Sequence, residues 1–313
     1  MKKIVVMGSF VVDLMGRAGH LPKRGETVKG GFFKAGPGGK GSNQGIAAKR
    51  MGADVIFATK IGKDAFGKMA MDSFKQEDMD TQLIFSDEKT STGAALIMVD
   101  EKTSDNKILV VLGASEEINQ ENIRKINLAI DNADIYLTQL ETNVDAVEKT
   151  IKYAASKKKK IVLNPAPIQE IDNEIYKNVD IFTPNEIEAS VLSGIEVKNF
   201  NDARQAAEIF LSKGVKNVVI TMGKLGVYLK NKKEEAIIES YSVKAVDTTG
   251  AGDAFNGGLV AGLGEGMSLK KAVEYGNAVA ALSVTKIGTA PAMPYKKEVL
   301  EFLENQINYM EKE

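Results

Sequence analysis

Near the C-terminal end the chain reads Val246-Asp247-Thr248-Thr249-Gly250-Ala251-Gly252-Asp253-Ala254-Phe255. A β-branched approach enters a turn of very small residues, which opens an apolar helical stretch from Ala254 to Leu263. A helix N-terminus presents unpaired backbone N–H groups and a partial positive charge, so it can hold an anion. Glycine lets that backbone reach φ > 0 and come close to a phosphate. Asp253 stands at the mouth of the same helix. A carboxylate is a poor anion ligand, but it is well suited to take a proton from a hydroxyl that attacks the anion. Loop, helix and acid together point to phosphoryl transfer to an alcohol. The plainer alternative is a strand-to-helix turn whose acidic first-turn residue favours the helix. A cap alone, however, does not call for the run Gly250, Ala251, Gly252.

Three further groups could do chemistry. Gly36-Pro37-Gly38-Gly39-Lys40-Gly41-Ser42-Asn43 fits G-x-G-x-x-G, but it lies some thirty residues after the first strand and lacks the acid that would end the next strand. Gly41 after Lys40 excludes a Walker A loop. As a substrate loop, its backbone N–H groups, the Lys40 ammonium and the Asn43 amide would offer donors to a polyol; a structural turn explains it equally well. Asn185 and Glu188 sit three apart at a strand end that opens a helix, an arrangement suited to Mg²⁺ and its waters, or simply to capping. Asp13 after the first strand and Glu141 after Leu140 would face the crest of a parallel sheet, where ligands bind in open α/β folds.

Composition limits the alternatives. The chain has 313 residues, 43% hydrophobic and 27% charged, with net charge −1, no cysteine and one histidine. Disulfides and thiolate chemistry are excluded, and no general attraction to nucleic acid or membrane is implied. His20 lies in a polar loop with no partner for a triad. No run reaches membrane-spanning length, and the short apolar N-terminus reads as a first strand, so a cytoplasmic protein is expected. Lys157–Lys160 reads as a solvated helix end.

These residues need elements to hold them. Strands are expected at Lys3–Met7, Phe10–Met15, Thr27–Lys34, Val55–Lys60, Ile135–Leu140, Ile161–Asn164, Ile181–Thr183 and Val218–Met222. Hairpins are expected at 94–112, turning at Thr103–Asn106, and at Gly226–Tyr241. Helices are expected at Ser42–Met51, Phe66–Glu77, Glu121–Asn132, Asp145–Lys157 and Asp202–Lys213. Strands alternating with helices of this length imply a mostly parallel sheet covered on both faces, an α/β fold. The extra β material, residues 10–34 and 90–112, reads as a small β lid hinged at Gly36–Gly41 and Gly113. Residues 1–9, 35–89 and 113–313 form the core. The lid would expose sheet surface that a second copy could cover.

Gly8-Ser9 with Asp13, Gly25-Glu26-Thr27, Gly38 through Gln44, Asn164-Pro165-Ala166-Pro167, Thr183-Pro184-Asn185-Glu186 and Asp247 through Asp253 occur in the order seen in one family. The chain resembles the ribokinase branch of the PfkB carbohydrate kinases over nearly its whole length. The resemblance implies a three-layer α/β/α domain with a β lid, and an ATP-dependent kinase that acts on the 5-hydroxyl of ribose or 2-deoxyribose. Fructose, a sugar phosphate or a nucleoside stays open as substrate, as does a non-catalytic sensor on the same fold. It implies Asp253 as general base, with the backbone of Gly250, Ala251, Gly252 and Asp253 holding the transferred phosphoryl. Asp13, Gly39, Lys40, Asn43 and Glu141 would hold the sugar. Asn185 and Glu188 would serve magnesium and phosphates, the latter through water. Thr221, Gly223, Gly226 and Asn277 would line the nucleotide pocket. Asp247, the Thr249 carbonyl and carbonyls near Ser283, Lys286 and Gly288 would form a potassium site, with Ala292 where many relatives carry a serine ligand. A homodimer through the lid is also implied. Val11 stands where ribokinases usually carry an asparagine for a ribose hydroxyl. An apolar residue there leaves a buried hydroxyl unpaired, at about 1–3 kcal/mol, which favours a sugar lacking it.

Overall fold

The structure, a computed structural model, describes residues 2–103 and 105–310. Strand β1 (Lys3–Met7) is followed by β2 (Val11–Ala18) and β3 (Phe32–Gly38), then by helix α1 (Lys40–Arg50), β4 (Asp54–Gly62) and α2 (Ala65–Gln76). Next come β5 (Ile84–Asp87), β6 (Thr92–Asp100), β7 (Asn106–Gly113), α3 (Gln120–Asp131), β8 (Ile135–Gln139), α4 (Val144–Ser156) and β9 (Lys160–Asn164). The remainder is α5 (Asn173–Tyr176), β10 (Ile181–Phe182), α6 (Glu186–Ser193), α7 (Phe200–Ser212), β11 (Asn217–Thr221), the hairpin β12 (Val227–Asn231) and β13 (Glu235–Ile238), α8 (Ala251–Gly264), α9 (Leu269–Ser283) and α10 (Lys296–Met310).

Nine strands form the main sheet in the order β13-β12-β11-β10-β9-β8-β1-β4-β5. The pairings from β11 to β5 are parallel, and the β12–β13 hairpin adds an antiparallel margin. Successive side chains of a strand point to opposite faces, and both faces are apolar here. Ile4 and Val6 enter one core with residues of α1, α2, α8, α9 and α10. Val5 and Met7 enter the other with α3, α4 and α7. A strand buried on both sides explains the unbroken run Ile4-Val5-Val6-Met7, and the result is a three-layer α/β/α domain.

The other four strands form a separate sheet in the order β3-β2-β6-β7, with β2 and β6 parallel and the outer pairs antiparallel. The expected hairpin is β6–β7; Ser104, within its expected turn, lies outside the described residues. One strand sits differently from the expectation. The strand expected at Thr27–Lys34 runs from Phe32 to Gly38 and leads through the Gly39 cap into α1, so half of the presumed hinge at Gly36–Gly41 is strand. Glycine makes this pairing fit: Gly38 lies opposite Val11, and a Cβ there would fall 2.3 Å from Asp13 Oδ1. Gly113 does turn the chain, at φ +54. Helix α1 likewise starts two residues before its expected Ser42, at Lys40.

Helices α1 and α8 lie against each other on one face of the sheet. A Cβ on Gly257 would come within 2.4 Å of Ala47 Cβ and 2.8 Å of the Gln44 carbonyl oxygen. Only glycine permits this approach, and it brings both helix N-termini to the same point above the sheet crest.

Candidate active site

Strand β1 has β8 and β4 as neighbours, so later strands run outward on either side of it. Open α/β sheets leave a crevice at such a reversal, outside the carboxyl ends of the strands. Ser9, Glu141, Asn164, Thr183 and Asn185 all follow or end strands at this crest. Two glycine-capped helices point into it. Gly39 caps α1 at φ +90, where a Cβ would meet the Val11 amide at 2.8 Å. Gly250 caps α8 in the left-handed conformation at φ +80, and no side chain closes that N-terminus.

A cavity of about 150 Å³ opens here. Val11, Asp13, Gly39, Lys40, Asn43 and Glu141, all expected to hold substrate, line it together with Thr249, Gly250 and Asp253. Ala95 and Ile97 of β6, Ile108 and Val110 of β7, and Thr289 complete the wall. Local sequence offered no sign of Thr289. Its hydroxyl donates to Asp13 Oδ2 at 2.7 Å across 276 residues of chain.

Asp253 is buried, and both of its oxygens accept amide N–H groups from α1. Asn43 Nδ2 reaches Oδ2 and Gln44 Nε2 reaches Oδ1, each at 2.9 Å. The Asn43 Oδ1, also buried, has no protein partner among the described residues and is free to accept a ligand hydroxyl. Glu141 is pinned to the same helix: the Lys40 backbone N–H donates to its Oε2 at 2.7 Å, and the Ser9 hydroxyl donates to the same oxygen.

Electrostatics follow from this crowding. Burial pushes the Asp13 carboxyl up to about 6; the Thr289 hydrogen bond opposes the rise, and repulsion from Glu141, Asp253 and Asp247 adds to it. Burial also raises Glu141 and Glu188 above the ordinary carboxylate range, with the Lys40 charge opposing in both. Burial alone would lower Lys40, but attraction to Asp253, Glu141 and Glu188 outweighs it and holds the ammonium above its usual value.

The residues expected to serve magnesium and the nucleotide do not line this cavity. Asn185 caps α6, and Glu188 completes a capping box: Asn185 Oδ1 accepts from Ile187 and Glu188 N–H, while Glu188 Oε2 accepts the Asn185 N–H at 2.9 Å. Capping therefore uses one oxygen of each, and the Asn185 NH₂ and Glu188 Oε1 have no protein partner among the described residues. Asn185 pairs with Thr221 as an isolated parallel bridge at the end of β11. Gly223 and Gly226 have φ +51 and +104 in the turn leading to β12. Asn277 on α9 donates to the Glu239 carbonyl at 2.8 Å, so part of its amide holds the end of the hairpin. Asp247 accepts the N–H groups of Thr249 and Gly288, both at 3.0 Å, and its own N–H donates to the Val284 carbonyl. This draws Thr249, Gly288 and the Ser283–Lys286 turn into one loop cluster behind the α8 N-terminus. Among the described residues no group of three or more acidic, histidine or cysteine side chains could hold a metal alone. A divalent ion would thus take most ligands from phosphate and water, as Mg²⁺ commonly does, and a monovalent ion would depend on carbonyls.

The pfkB family carbohydrate kinase profile matches residues 1–296. The chain belongs to this family. It is 41% identical over 304 residues to a ribokinase of Haemophilus influenzae, covering 97% of this chain and 99% of that one. It is 33% identical over 301 residues to a deoxyribokinase of Salmonella typhi, covering 96% and 98%. The solved structure of Arabidopsis thaliana ribokinase complexed with ribose and ATP superposes with TM-score 0.87 at 29% identity, covering 96% and 98%. The chain is a sugar kinase with the ribokinase fold. Among the described residues no helix is long and apolar enough to cross a membrane.

Because the folded pKa of Asp13 exceeds the ordinary 3.8, the native state keeps that proton longer than the unfolded chain. Its contribution to stability is present at low pH and is lost as pH rises through the interval from about 4 to 6. Replacing Thr289 with valine removes the opposing hydrogen bond, so the Asp13 titration should move above 6. Carboxyl ¹³C NMR of the ligand-free protein reads this directly, and an unmoved midpoint would show that the Thr289 hydroxyl does not hold Asp13.

Proposed function

We propose that this chain transfers the γ-phosphoryl of ATP to the 5-hydroxyl of a pentose, ribose or 2-deoxyribose. The observation that carries the reading is the meeting of the Asp253 carboxylate, the open amides of the α8 N-terminus and a polyol-sized cleft lined by Asp13, Asn43, Lys40 and Glu141. The likeness to ribokinases and to a deoxyribokinase supports the substrate class.

In this reading Asp13, Asn43 and the backbone of Gly39 hold the sugar hydroxyls, together with Lys40 and Glu141. Asp253 takes the proton of the attacking hydroxyl as its oxygen bonds the γ-phosphorus and the bond from that phosphorus to the bridging oxygen of ADP breaks. The N–H groups at Gly250–Asp253 face the three equatorial oxygens, where charge is carried through the transfer. Magnesium, when bound, neutralises phosphate charge; Asn185 and Glu188 would hold it through water. Thr221, Gly223, Gly226 and Asn277 would take the nucleotide. Potassium among Asp247, the Thr249 carbonyl and the Ser283–Gly288 carbonyls would stiffen the anion loop from behind, with Ala292 withholding one side-chain ligand.

The four-stranded sheet acts as a lid, its inner face covering the sugar. By register Leu96, Met98, Leu109 and Val111 share its outer face, and all four are exposed, the last two by 59% and 58%. Strand β7 also leaves its outer edge unpaired. An apolar face with an open edge is the surface a second copy would cover, which supports a homodimer.

Turnover, followed by coupled ADP release with ATP-Mg²⁺ and pentose with and without potassium, should fall about 10²–10⁴-fold in Asp253→Asn, the range a general base supplies. Retention within about threefold would remove the base, and equal rates with and without potassium would remove the cation. In the same assay Val11→Asn should raise the ratio of ribose to 2-deoxyribose turnover about tenfold, the worth of one buried hydrogen bond; an unchanged ratio would mean that Val11 does not face the differing carbon. Sedimentation equilibrium should give a dimer at micromolar concentration, and a monomer there would rule out the lid interface.

A further inference from the structure

Gln44 lies one residue beyond Asn43, yet it is fully buried and does not line the cleft. Its Nε2 carries two N–H groups, and both are used: one reaches Asp253 Oδ1 at 2.9 Å and the other Asn164 Oδ1 at 3.0 Å. Its Oε1 accepts the Gln139 Nε2 at 2.7 Å. The direction of this chain of amides is set by a group that cannot be reversed. Asn164 Nδ2 donates to the Thr183 backbone carbonyl at 2.9 Å, and a carbonyl can only accept. Asn164 must therefore turn its oxygen toward Gln44, and Gln44 must turn its NH₂ toward both Asn164 and Asp253. Turning the Gln44 amide over would set its oxygen against the Asp253 carboxylate and against the Asn164 oxygen. The same Thr183 closes the circuit on the other side. Its hydroxyl bonds Asn256 Oδ1 at 2.7 Å, and Asn256 Nδ2 donates to the Gly252 carbonyl at 2.9 Å, next to Asp253 in chain.

We propose that Gln44 is a positioning residue for the phosphoryl-transfer reaction: locked by Asn164, it presents only N–H to Asp253 and holds that carboxylate aimed into the cleft. This rests on Asp253 acting as general base. Gln44 is fully buried behind the cleft lining, so its influence belongs in turnover and in the protonation of its neighbour. Asn43 differs, because it both holds Asp253 and lines the cleft. The charged groups that surround Asp253 are Lys40 of α1, Glu141 after β8, Glu188 of α6 and Asp13 of β2. None of them changes when Gln44 is altered.

Two variants of the full chain test this, each first checked for a cooperative thermal melt. In Gln44→Met the donors are lost at similar size; kcat should fall about 10–100-fold, the scale of a misplaced catalytic group, while the KM for pentose stays within about threefold. In Gln44→Glu a second carboxyl of nearly the same shape adjoins Asp253, and two such groups share a proton. The acid limb of the kcat/KM profile should then move upward by about one pH unit or more. An unmoved acid limb in Gln44→Glu, or in Gln44→Met a kcat within about threefold or a loss expressed in KM, overturns the proposal. Asp253→Asn measured alongside separates the two claims. A crippled Asp253→Asn beside a normal Gln44→Met overturns the positioning role alone, whereas an active Asp253→Asn removes the base and this role with it.

Discussion

The close contact between α1 and α8 is the constraint on which the site depends. Neither helix carries a complete set of groups. The first brings the Gly39 cap, Lys40, Asn43 and Gln44; the second brings the Gly250 cap, the open amides of its N-terminus and Asp253. Gly257 lets the two backbones approach to a distance that any Cβ would forbid. A comparable approach anchors α1 from below, since a Cβ on Gly41 would fall 2.6 Å from the Gly8 backbone at the end of β1. The helix N-termini are thereby fixed to each other and to the sheet crest. Short amide side chains can then bridge from one helix to the carboxylate of the other. Dipoles fixed in advance at the place where charge moves cost no reorganisation during a reaction, which is how such a site gains rate.

The charges in the cleft pose a question, because Asp13, Glu141, Glu188 and Asp253 surround a place read as binding phosphate. Their arrangement resolves it. In the proposed reading Asp13 and Glu141 belong to the sugar side with Val11 and the second sheet, whereas the open N-terminus of α8 would face the phosphate side. Lys40 stands among the acids and answers three of them. Glu141 spends one oxygen on Ser9 and the Lys40 N–H, and Glu188 spends one on capping α6. Each acid thus has a fixed donor and is not a bare charge, which is the condition for burying such groups at tolerable cost.

Much of this was legible in the chain because it rests on short-range chemistry. The anion loop, the sugar loop and the Asn185–Glu188 pair are contiguous motifs, and the strands of the main sheet announce themselves by runs buried on both faces. The parts that could not be read are those made by long-range contact or by glycine used for fit. Gly39-Lys40-Gly41 has the composition of a loop, yet two of these residues form the first turn of α1, because the space beside Gly8 excludes any larger residue. Gly36–Gly38 reads as a hinge and is the end of a strand, where Asp13 fills the room a side chain on Gly38 would need. Thr289 has no local signature; it matters only because the fold sets it against Asp13. Gln44 was visible as part of a motif, but its work depends on Gln139 and Asn164, which stand 95 and 120 residues away. Helices α9 and α10, beyond the last expected element at Leu263, and β5, a short strand at the sheet margin, are not expected from the sequence pattern.

The second sheet completes the reasoning about substrate. Its inner face presents Ala95, Ile97, Ile108 and Val110 to the cavity, and Val11 stands at the floor of the same sheet. None of these can bond a hydroxyl. Polar recognition must then come from the opposite side, from Asp13, Asn43, Lys40 and Glu141, and it is one-sided. A sugar held this way has one edge of hydroxyls satisfied and one face against hydrocarbon. An extra hydroxyl turned toward Val11 would lose its water without gaining a partner, whereas a ring carbon there loses nothing. Closed over a bound sugar, this apolar sheet would also lower the local dielectric around Asp253 and the α8 amides, and so strengthen each of their interactions with a bound phosphoryl group. In the proposed reading, discrimination at Val11 and strength at Asp253 would therefore have a common origin, the exclusion of water by a small apolar sheet closed over the sugar.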